Sequence, residues 1–267
     1  MHLEQLCRAA VQIAIDAGQR IIEVYEGDFK VEYKQDESPL TLADQLAHEL
    51  IVAQLTELDS SIPILSEEGE PPAYAVRQQW QRYWLVDPLD GTKEFVKRNG
   101  EFTVNIALID QGVPVVGVVY VPVTGVSYFS WSGGGCWRTN ADQQTAQIHV
   151  RQSSAGDDLA VVCSRSHRGD RLEGLLERLG NYRAVPTGSS LKLCLVAEGS
   201  ADFYPRLGPT SEWDTAAAHA LVLEAGGVVV DLQLRPLLYN QKDSLLNPEF
   251  LVLPEQNPDW LPSFDGL

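Results

Sequence analysis

The strongest constraint on the fold is a strand-rich block between residues 83 and 131, which follows two segments with helical periodicity. Residues 83–86 (YWLV) form a short apolar run, and residues 102–109 and 113–121 are rich in β-branched side chains. The turn sequence Asp110-Gln111-Gly112 joins the last two segments, which predicts a β-hairpin. Residues 126–131 predict another strand, which ends at three consecutive glycines.

Helical periodicity dominates the beginning of the chain. Apolar residues recur at steps of three and four between Leu3 and Val24, which predicts an amphipathic helix that ends at Gly27. After a polar loop at 34–39, a second helix is predicted to run from about Thr41 to Leu58. Apolar residues at 62–65 precede an acidic pair, Glu67 and Glu68.

The second half alternates between strand and helix patterns. Residues 159–163 and 228–230 predict strands, and helices are predicted at 171–179 and from near Asp214 to Gly226. The polar segment 140–158 lacks periodicity and suggests a boundary between an N-terminal α+β subdomain (1–150) and a C-terminal α/β subdomain (151–253), with a peripheral tail at 254–267. This mixture predicts an α+β or layered α/β fold.

The acidity of the chain restricts its partners. Its 267 residues include 37 acidic and 20 basic ones, giving a net charge of −17. Such a surface repels nucleic acid and offers no attraction to an anionic membrane face. No apolar run approaches the roughly 18 residues that span a bilayer, so no integral membrane segment is predicted. The N-terminus lacks a secretory pattern, and a cytoplasmic protein is expected.

Cysteine and histidine do not suggest a disulfide framework or a zinc site. The four cysteines are widely spread and contain no Cys-x-x-Cys pair, so we interpret them as reduced, mostly buried thiols. The five histidines show no zinc-ligand spacing with the cysteines or with each other.

The run Asp87-Pro88-Leu89-Asp90-Gly91-Thr92 carries the clearest chemical signal. Its two aspartates leave the end of an apolar strand, Pro88 fixes one dihedral angle, and Gly91 permits a sharp turn. Such a turn can aim both carboxylates and the Leu89 carbonyl at one point. Ligands that are all oxygen suit a hard divalent cation, magnesium above all. Bound cations would also allow this acidic chain to attract an anionic substrate.

Three further acidic positions are ambiguous on their own. Glu67 and Glu68 could be ordinary surface acids at a strand end. Asp214 lies where the N-cap of a helix rich in alanine belongs. Asp44 completes a capping box that begins at Thr41, so the start of a helix accounts for it as well.

Together these residues resemble the inositol monophosphatase superfamily of metal-dependent phosphatases. Within it, the longer matches are to the bacterial 3′(2′),5′-bisphosphate nucleotidases. Four stretches carry the resemblance: residues 84–95 (WLVDPLDGTKEF), 99–110 (NGEFTVNIALID), 164–167 (SRSH) and 188–192 (GSSLK). The resemblance covers residues 3–253 and implies an α/β/α/β/α sandwich with the inositol monophosphatase fold.

The resemblance also implies a lithium-sensitive hydrolase with two or three Mg²⁺ ions. One ion would be held by Glu67, Asp87 and the Leu89 carbonyl, and a second by Asp87, Asp90 and Asp214. A metal-activated water would attack phosphorus. The Thr92 hydroxyl, itself held by Asp44, would orient this water, and Glu67 would lie nearby. The N–H groups of Gly91 and Thr92 would hold phosphate oxygens.

The implied substrate is 3′-phosphoadenosine 5′-phosphate, cleaved to AMP and phosphate, with its sulfated form, 3′-phosphoadenosine 5′-phosphosulfate, as a related substrate and a role in sulfur metabolism. Besides Glu67, Leu89, Asp90 and Asp214, the implied contacts come from seven residues: Lys93, Ser164, His167, Gly188, Ser190, Lys192 and Arg206. Several have a plainer interpretation: Lys93 as a solvated lysine, His167 as a loop residue, the segment at Gly188 as a helix cap and Lys192 as an exposed helix residue.

Two alternatives stay open at this stage. The same scaffold could serve an inositol monophosphatase or a fructose 1,6-bisphosphatase, although Lys93 and residues 164–167 favour a nucleotide. A protein of a different class, a non-catalytic metal or nucleotide sensor, could use the same ligands. The sequence does not fix the oligomeric state, and peripheral association with the inner membrane is compatible with the resemblance.

Overall fold

The computed structural model describes residues 1–27, 31–33, 39–154, 156–163, 170–255 and 258–262. Seven helices lie in these ranges: α1 (Leu3–Glu26), α2 (Leu42–Leu58), α3 (Tyr74–Arg77), α4 (Thr92–Val96), α5 (Asp170–Leu179), α6 (Leu191–Ala197) and α7 (Ala216–Glu224). No helix among them combines the length and apolarity needed to cross a bilayer.

The same ranges contain fourteen strands. In the N-terminal part they are β1 (Val31–Tyr33), β2 (Pro39–Thr41), β3 (Ile64–Ser66), β4 (Arg82–Asp90), β5 (Thr103–Asp110), β6 (Val113–Val121), β7 (Val126–Trp131), β8 (Gly135–Thr139) and β9 (Thr145–Ile148). The others are β10 (Leu159–Cys163), β11 (Tyr182–Pro186), β12 (Tyr204–Arg206), β13 (Val228–Asp231) and β14 (Phe250–Leu253).

A seven-stranded sheet in the order β3-β4-β5-β6-β7-β8-β9 organises the N-terminal part of the described chain. Only the β3–β4 pair is parallel, and each later pair is antiparallel. The predicted hairpin at Asp110-Gln111-Gly112 is confirmed as the turn between β5 and β6. Gln111 and Gly112 both have positive φ, 51° and 79°, which suits a two-residue hairpin turn.

Five layers follow from the way the apolar faces are buried. Helices α1 and α2 cover one face of the large sheet, and α6 and α7 pack between its other face and the C-terminal strands. Those strands form pairs β10–β11 and β12–β14–β13, joined by a bridge between Val161 and Phe203. Helix α5 covers their outer face. The prediction of a layered α/β/α/β/α fold is confirmed.

Two helix-end predictions can be compared directly with the structure. Gly27 is the C-cap of α1 as predicted, but it is extended (φ −87°, ψ −173°) and does not use the left-handed freedom of glycine. Thr41 is the N-cap of α2, and its side chain accepts a hydrogen bond from the Ala43 N–H. The predicted capping box with Asp44 is confirmed.

The cysteine interpretation is confirmed, because all four thiols are free and buried. Within the segment predicted as a peripheral tail, Trp260 is only 8% exposed and its ring lies 5.6 Å from that of Phe203. The Trp260 indole N–H donates to the Ser153 carbonyl at 3.2 Å. This tryptophan anchors the C-terminal segment to the core beneath α5.

Candidate active site

The parallel pairing of β3 with β4 places Glu67 beside Asp87. Ser66 lies opposite Val86, and the Glu67 N–H donates to the Val86 carbonyl at 3.1 Å. Glu67 therefore leaves the sheet at the point where Asp87 follows Val86 on the next strand. Two acidic residues that are separate in the sequence become neighbours through this pairing.

Strand β4 continues through Asp90, so the prediction that both aspartates follow the end of the strand was wrong. Asp87 pairs with Asn105 and Asp90 with Thr103, which leaves one extra residue on β4 and makes a β-bulge. Pro88 suits a bulge because it has no N–H to give to the ladder. The Leu89 N–H donates to Asp87 Oδ1 at 3.1 Å and fixes that carboxylate.

Gly91 supplies the turn that follows. Its φ is +96°, and an added Cβ would lie 3.1 Å from the Glu101 carbonyl oxygen. Both the backbone conformation and the space therefore favour glycine. Thr92 begins α4 immediately afterwards and is partly buried.

Asp214 completes the acidic cluster from the C-terminal half. One carboxylate oxygen from each of Glu67, Asp87 and Asp214 lies within 4.8 Å of the others. Asp214 does not cap α7, because the N-cap residue is Thr215. Asp214 Oδ2 instead accepts the Ser211 N–H at 2.9 Å. The helix-capping explanation for Asp214 was therefore wrong.

The electrostatics of this cluster favour a cation. Burial raises the pKa of Asp87 well above its usual value, and the charges of Glu67, Asp90, Asp214 and Glu68 raise it further. Burial and the charges of Asp90 and Glu67 raise the pKa of Asp214 to about 8. Asp87 Oδ2 is buried and has no hydrogen-bond partner within the described ranges. An oxygen-only donor set with an unpaired buried carboxylate oxygen fits a hard divalent ion.

Asp44 connects the start of α2 to Thr92. Asp44 Oδ2 accepts the Thr41 N–H and the Thr41 hydroxyl, both at 2.7 Å. The other oxygen, Oδ1, accepts the Thr92 hydroxyl at 3.2 Å, and the Leu89 carbonyl lies 3.4 Å from the same hydroxyl. Asp44 is only 1% exposed, so this contact is shielded from bulk water. The structure brings Asp44 and Thr92 together as the sequence predicted.

Asn105 is a site residue that the sequence reasoning missed. It lies opposite Asp87 on β5, and its Nδ2 donates to Ser190 Oγ at 2.8 Å and approaches Asp90 Oδ2 at 3.3 Å. The available signal was its place in the stretch 99–110 that carries the family resemblance. Ser190, predicted to contact substrate, is 1% exposed and hydrogen-bonds to Asp90.

Two of the residues predicted to contact substrate, Lys192 and Arg206, line a small cavity beside the carboxylates. A cavity of about 90 Å³ is lined by Lys192 and Arg206 together with Asp90 and Asp214. Lys192 Nζ donates to the Ser189 carbonyl at 2.6 Å, and the Arg206 guanidinium donates to Thr210 Oγ1 and the Pro209 carbonyl, each at 2.5 Å. Burial lowers the pKa of Lys192, the charge of Asp90 opposes this shift, and the charge of Arg206 adds a smaller lowering effect.

The other predicted contacts are more dispersed. Lys93 is exposed on α4, as the plainer interpretation of a solvated lysine expects. The Gly188 N–H donates to Glu101 Oε2 at 2.9 Å, and an added Cβ at Gly188 would lie 2.8 Å from the Glu94 Cγ. Ser164 and His167 lie outside the described residues.

Comparison with known proteins agrees with this geometry. The inositol monophosphatase family profile matches residues 2–259. The chain is 54% identical to the 3′(2′),5′-bisphosphate nucleotidase CysQ of Salmonella typhimurium strain LT2 and 52% identical to that of Escherichia coli K12. Both alignments span 252 residues, covering 94% of this chain and 98% of each relative.

The fold is similar to that of a solved relative. The crystal structure of CysQ from Bacteroides thetaiotaomicron, described as a bacterial member of the inositol monophosphatase family, superposes with a TM-score of 0.84 at 44% identity. The superposition covers 94% of this chain and 98% of that one. The matched profile, the shared fold and the acidic cluster confirm the family predicted from the sequence. The chain belongs to the inositol monophosphatase family.

Proposed function

We propose that the chain is a magnesium-dependent 3′(2′),5′-bisphosphate nucleotidase that hydrolyses the 3′-phosphate of 3′-phosphoadenosine 5′-phosphate to AMP and phosphate. The observation that carries the proposal is the meeting of Glu67, Asp87 and Asp214 within 4.8 Å around a buried, unpaired carboxylate oxygen. The nucleotide substrate is supported by relatives that share more than half of their aligned residues and bear this name.

Five residues would hold the ions. Glu67, Asp87 and the Leu89 carbonyl would bind one, and Asp87, Asp90 and Asp214 a second. When bound, such ions supply Lewis acidity that activates water and stabilises a departing oxygen. Burial is the main cause of the raised pKa values of Asp87 and Asp214, neighbouring carboxylates raise them further, and bound cations would relieve that repulsion.

Thr92 is well arranged to orient the attacking water. Its single hydroxyl hydrogen is directed to Asp44 Oδ1 or the Leu89 carbonyl, so its oxygen lone pairs are free to accept a hydrogen bond. Asp44 is held by two bonds from Thr41 and keeps Thr92 in this orientation. In our proposal the Thr92 oxygen accepts a hydrogen bond from the attacking water, and the proton that the water gives up passes through the Thr92 hydroxyl to Asp44 Oδ1.

Two basic side chains beside the carboxylates support a substrate with a second phosphate. Lys192 and Arg206 line the same small cavity as Asp90 and Asp214. Each lowers the cost of an anion there, and a phosphate beside Lys192 would favour the charged form that burial disfavours. In our proposal the N–H groups of Gly91 and Thr92 contact the reacting phosphate, and Lys93 lies at the exposed rim. A cytoplasmic location stays a prediction.

A substrate panel tests this proposal. Phosphate release from 3′-phosphoadenosine 5′-phosphate, inositol 1-phosphate and fructose 1,6-bisphosphate is measured with magnesium and with EDTA. We expect the nucleotide to have the highest kcat/KM and EDTA to abolish release. Asp90→Asn should lower release at least about a hundredfold, the scale of a lost charge-stabilising group.

Asp110→Asn is the matched control, because Asp110 lies on the β5–β6 hairpin, where it pairs with Arg82. This variant should keep near-normal turnover. A preference for either non-nucleotide substrate would reject the assigned specificity. Binding without any magnesium-dependent release would instead support the sensor alternative.

A further inference from the structure

Ser190 is buried against the acidic cluster from a segment one hundred residues after Asp90. It directly precedes α6, and its N–H donates to Asp90 Oδ2 at 2.5 Å. The Ser190 hydroxyl lies 2.7 Å from the same oxygen and 2.6 Å from the backbone carbonyl of Asp214. Ser190 therefore touches two of the acidic residues in the site through three short contacts.

The hydrogen atoms of this cluster can be assigned by chemistry. The Asn105 amide group faces two acceptors, Ser190 Oγ at 2.8 Å and Asp90 Oδ2 at 3.3 Å, so its nitrogen must be on that side. Ser190 Oγ therefore accepts from Asn105, and its single hydrogen is left for Asp90 or for the Asp214 carbonyl. The buried Asn105 Oδ1 has no partner in the part of the chain that is described, so the amide serves this cluster alone.

These contacts are concentrated on one oxygen of Asp90. Oδ2 faces the Ser190 N–H, the Ser190 hydroxyl and the Asn105 amide. Among the described residues, no hydrogen-bond donor contacts the other oxygen, Oδ1. The hydrogen bonds therefore occupy Asp90 Oδ2 and leave Oδ1 available to a ligand. The negative charges of the neighbouring carboxylates act on both oxygens.

We propose that Ser190 and Asn105 are positioning residues that fix the rotation of the Asp90 carboxylate and its spacing from Asp214, so that Asp90 Oδ1 is presented to a divalent cation. The proposal rests on the metal site of the proposed function. It changes the role expected for Ser190 from a contact with substrate to a support for a ligand. Partners of this kind orient metal ligands, and their loss lowers metal affinity or activity about 10-fold to 100-fold.

Metal binding measured without substrate tests the proposal. Free Mn²⁺, an ion that also prefers carboxylate oxygen, is followed by electron paramagnetic resonance as it is titrated into the wild type and variants. Ser190→Ala and Asn105→Ala should each weaken Mn²⁺ binding about 10-fold or more. Because both act through one cluster, the double variant should lose much less than the product of the single losses.

Ser130→Ala is the matched control. Its buried hydroxyl lies on β7 and, within the described residues, has no hydrogen-bond partner. This variant should bind Mn²⁺ within twofold of the wild type. Far-ultraviolet circular dichroism checks folding, and Asn105→Ala alone carries the test if Ser190→Ala does not fold.

Two results would overturn the proposal. Unchanged Mn²⁺ affinity in both variants, with a raised KM for the nucleotide, would make Ser190 a substrate contact. Fully multiplicative losses in the double variant would show that the two residues act separately. Because substrate is absent from the titration, the result does not depend on which phosphate ester the enzyme cleaves.

Discussion

At the scale of single residues, Asp44 has two functions that do not compete, because each uses a different oxygen. Oδ2 completes the capping box at the start of α2, and Oδ1 accepts the Thr92 hydroxyl. The plain interpretation of Asp44 as a helix cap is correct, and it is also what holds the carboxylate rigidly toward Thr92. We therefore expect a substitution at Asp44 to lower both stability and activity, whereas a substitution at Thr92 should lower activity with little effect on stability.

Thr92→Ala should lower kcat at least about a hundredfold, because a positioned proton acceptor contributes a factor of this size. Metal binding and the melting temperature should change little, since Asp44 keeps both bonds from Thr41. Steady-state kinetics at saturating magnesium measure the effect. Thr92→Ser retains the hydroxyl and should recover most of the activity, and a Thr92→Ala enzyme with near-normal turnover would disprove the role given to Thr92.

Residues of the site differ in how far the sequence alone identifies them. Asp87 and Asp90 can be identified because Asp-Pro-x-Asp-Gly-Thr is a local pattern in which proline and glycine indicate a turn beside the two carboxylates. Asn105 lies in the stretch that carries the family resemblance, but no local turn pattern marks it, and its role follows from the strand pairing that sets it opposite Asp87. The contact of Ser190 with Asp90 is likewise not predictable from the sequence, because it depends on the path of the loop before α6.

At the scale of elements, the approach of α7 to β6 sets the position of Asp214. An added Cβ at Gly117 on β6 would lie 2.1 Å from the Ala217 carbonyl oxygen and 2.7 Å from the Ala220 Cβ. Helix α7 is buried on nearly all sides, and its small residues allow this close contact. Since Asp214 comes two residues before α7, its distance from β4 depends on how closely α7 packs against β6.

Gly117→Ala should destabilise the fold by roughly 1–3 kcal/mol, because the added methyl group overpacks the interface. The displaced helix should also raise the magnesium concentration needed for half-maximal activity. Thermal unfolding and magnesium titrations measure the two effects. Gly27→Ala is a suitable control, since its new Cβ meets atoms no closer than 3.5 Å. A Gly117→Ala protein with unchanged stability would contradict this account of the α7 interface.

The elements also differ in how well the sequence predicts them. The β5–β6 hairpin and helices α1 and α2 are predictable, because a turn or a capping box next to a clear periodicity defines each locally. Strand β9 was missed inside a segment interpreted as polar and irregular. Its residues are mostly exposed, and pairing with β8 is what makes it a strand. The three-residue strand β12 is likewise defined by its pairing with β14, because it is too short to give a pattern of its own.

At the scale of the whole molecule, the net charge of −17 and the anionic substrate are reconciled by the ions the site would hold. The sequence predictions of the family, the layered fold and the class of enzyme are confirmed, because similarity extends over most of the chain. The division at residue 150 stays a prediction. Helices α6 and α7 share one core with both the large sheet and the C-terminal strands.

The acidic cluster makes the stability of the whole molecule depend on pH and metal together. The pKa of Asp214 is raised to about 8 in the fold, above the value of about 4 for a free aspartate. Its stabilising contribution is therefore complete below about pH 4 and is lost as pH rises through 8. Asp87, whose pKa is also raised, acts in the same direction.

We therefore expect magnesium to raise the melting temperature more at pH 8.5 than at pH 6. At lower pH the ion must displace protons, so the apparent affinity should rise by up to about tenfold per pH unit for each proton released. Magnesium titrations followed by thermal unfolding at several pH values measure this. Asp214→Asn should flatten the dependence, and an equal magnesium effect at both pH values would contradict the pKa argument.

The meeting of Glu67 and Asp87 with Asp214 has a consequence for how the molecule assembles. Glu67 directly follows β3 and Asp87 lies on the neighbouring strand β4, whereas Asp214 follows more than half a chain length after Glu67 and arrives only when α7 docks on the sheet. Contacts between residues so far apart in the chain slow folding, because the entropy of closing the loop is lost before the contact forms, and we expect this one to form late. A nascent or partly folded chain thus lacks a complete ion-binding site, and capture of a cation marks the completion of folding.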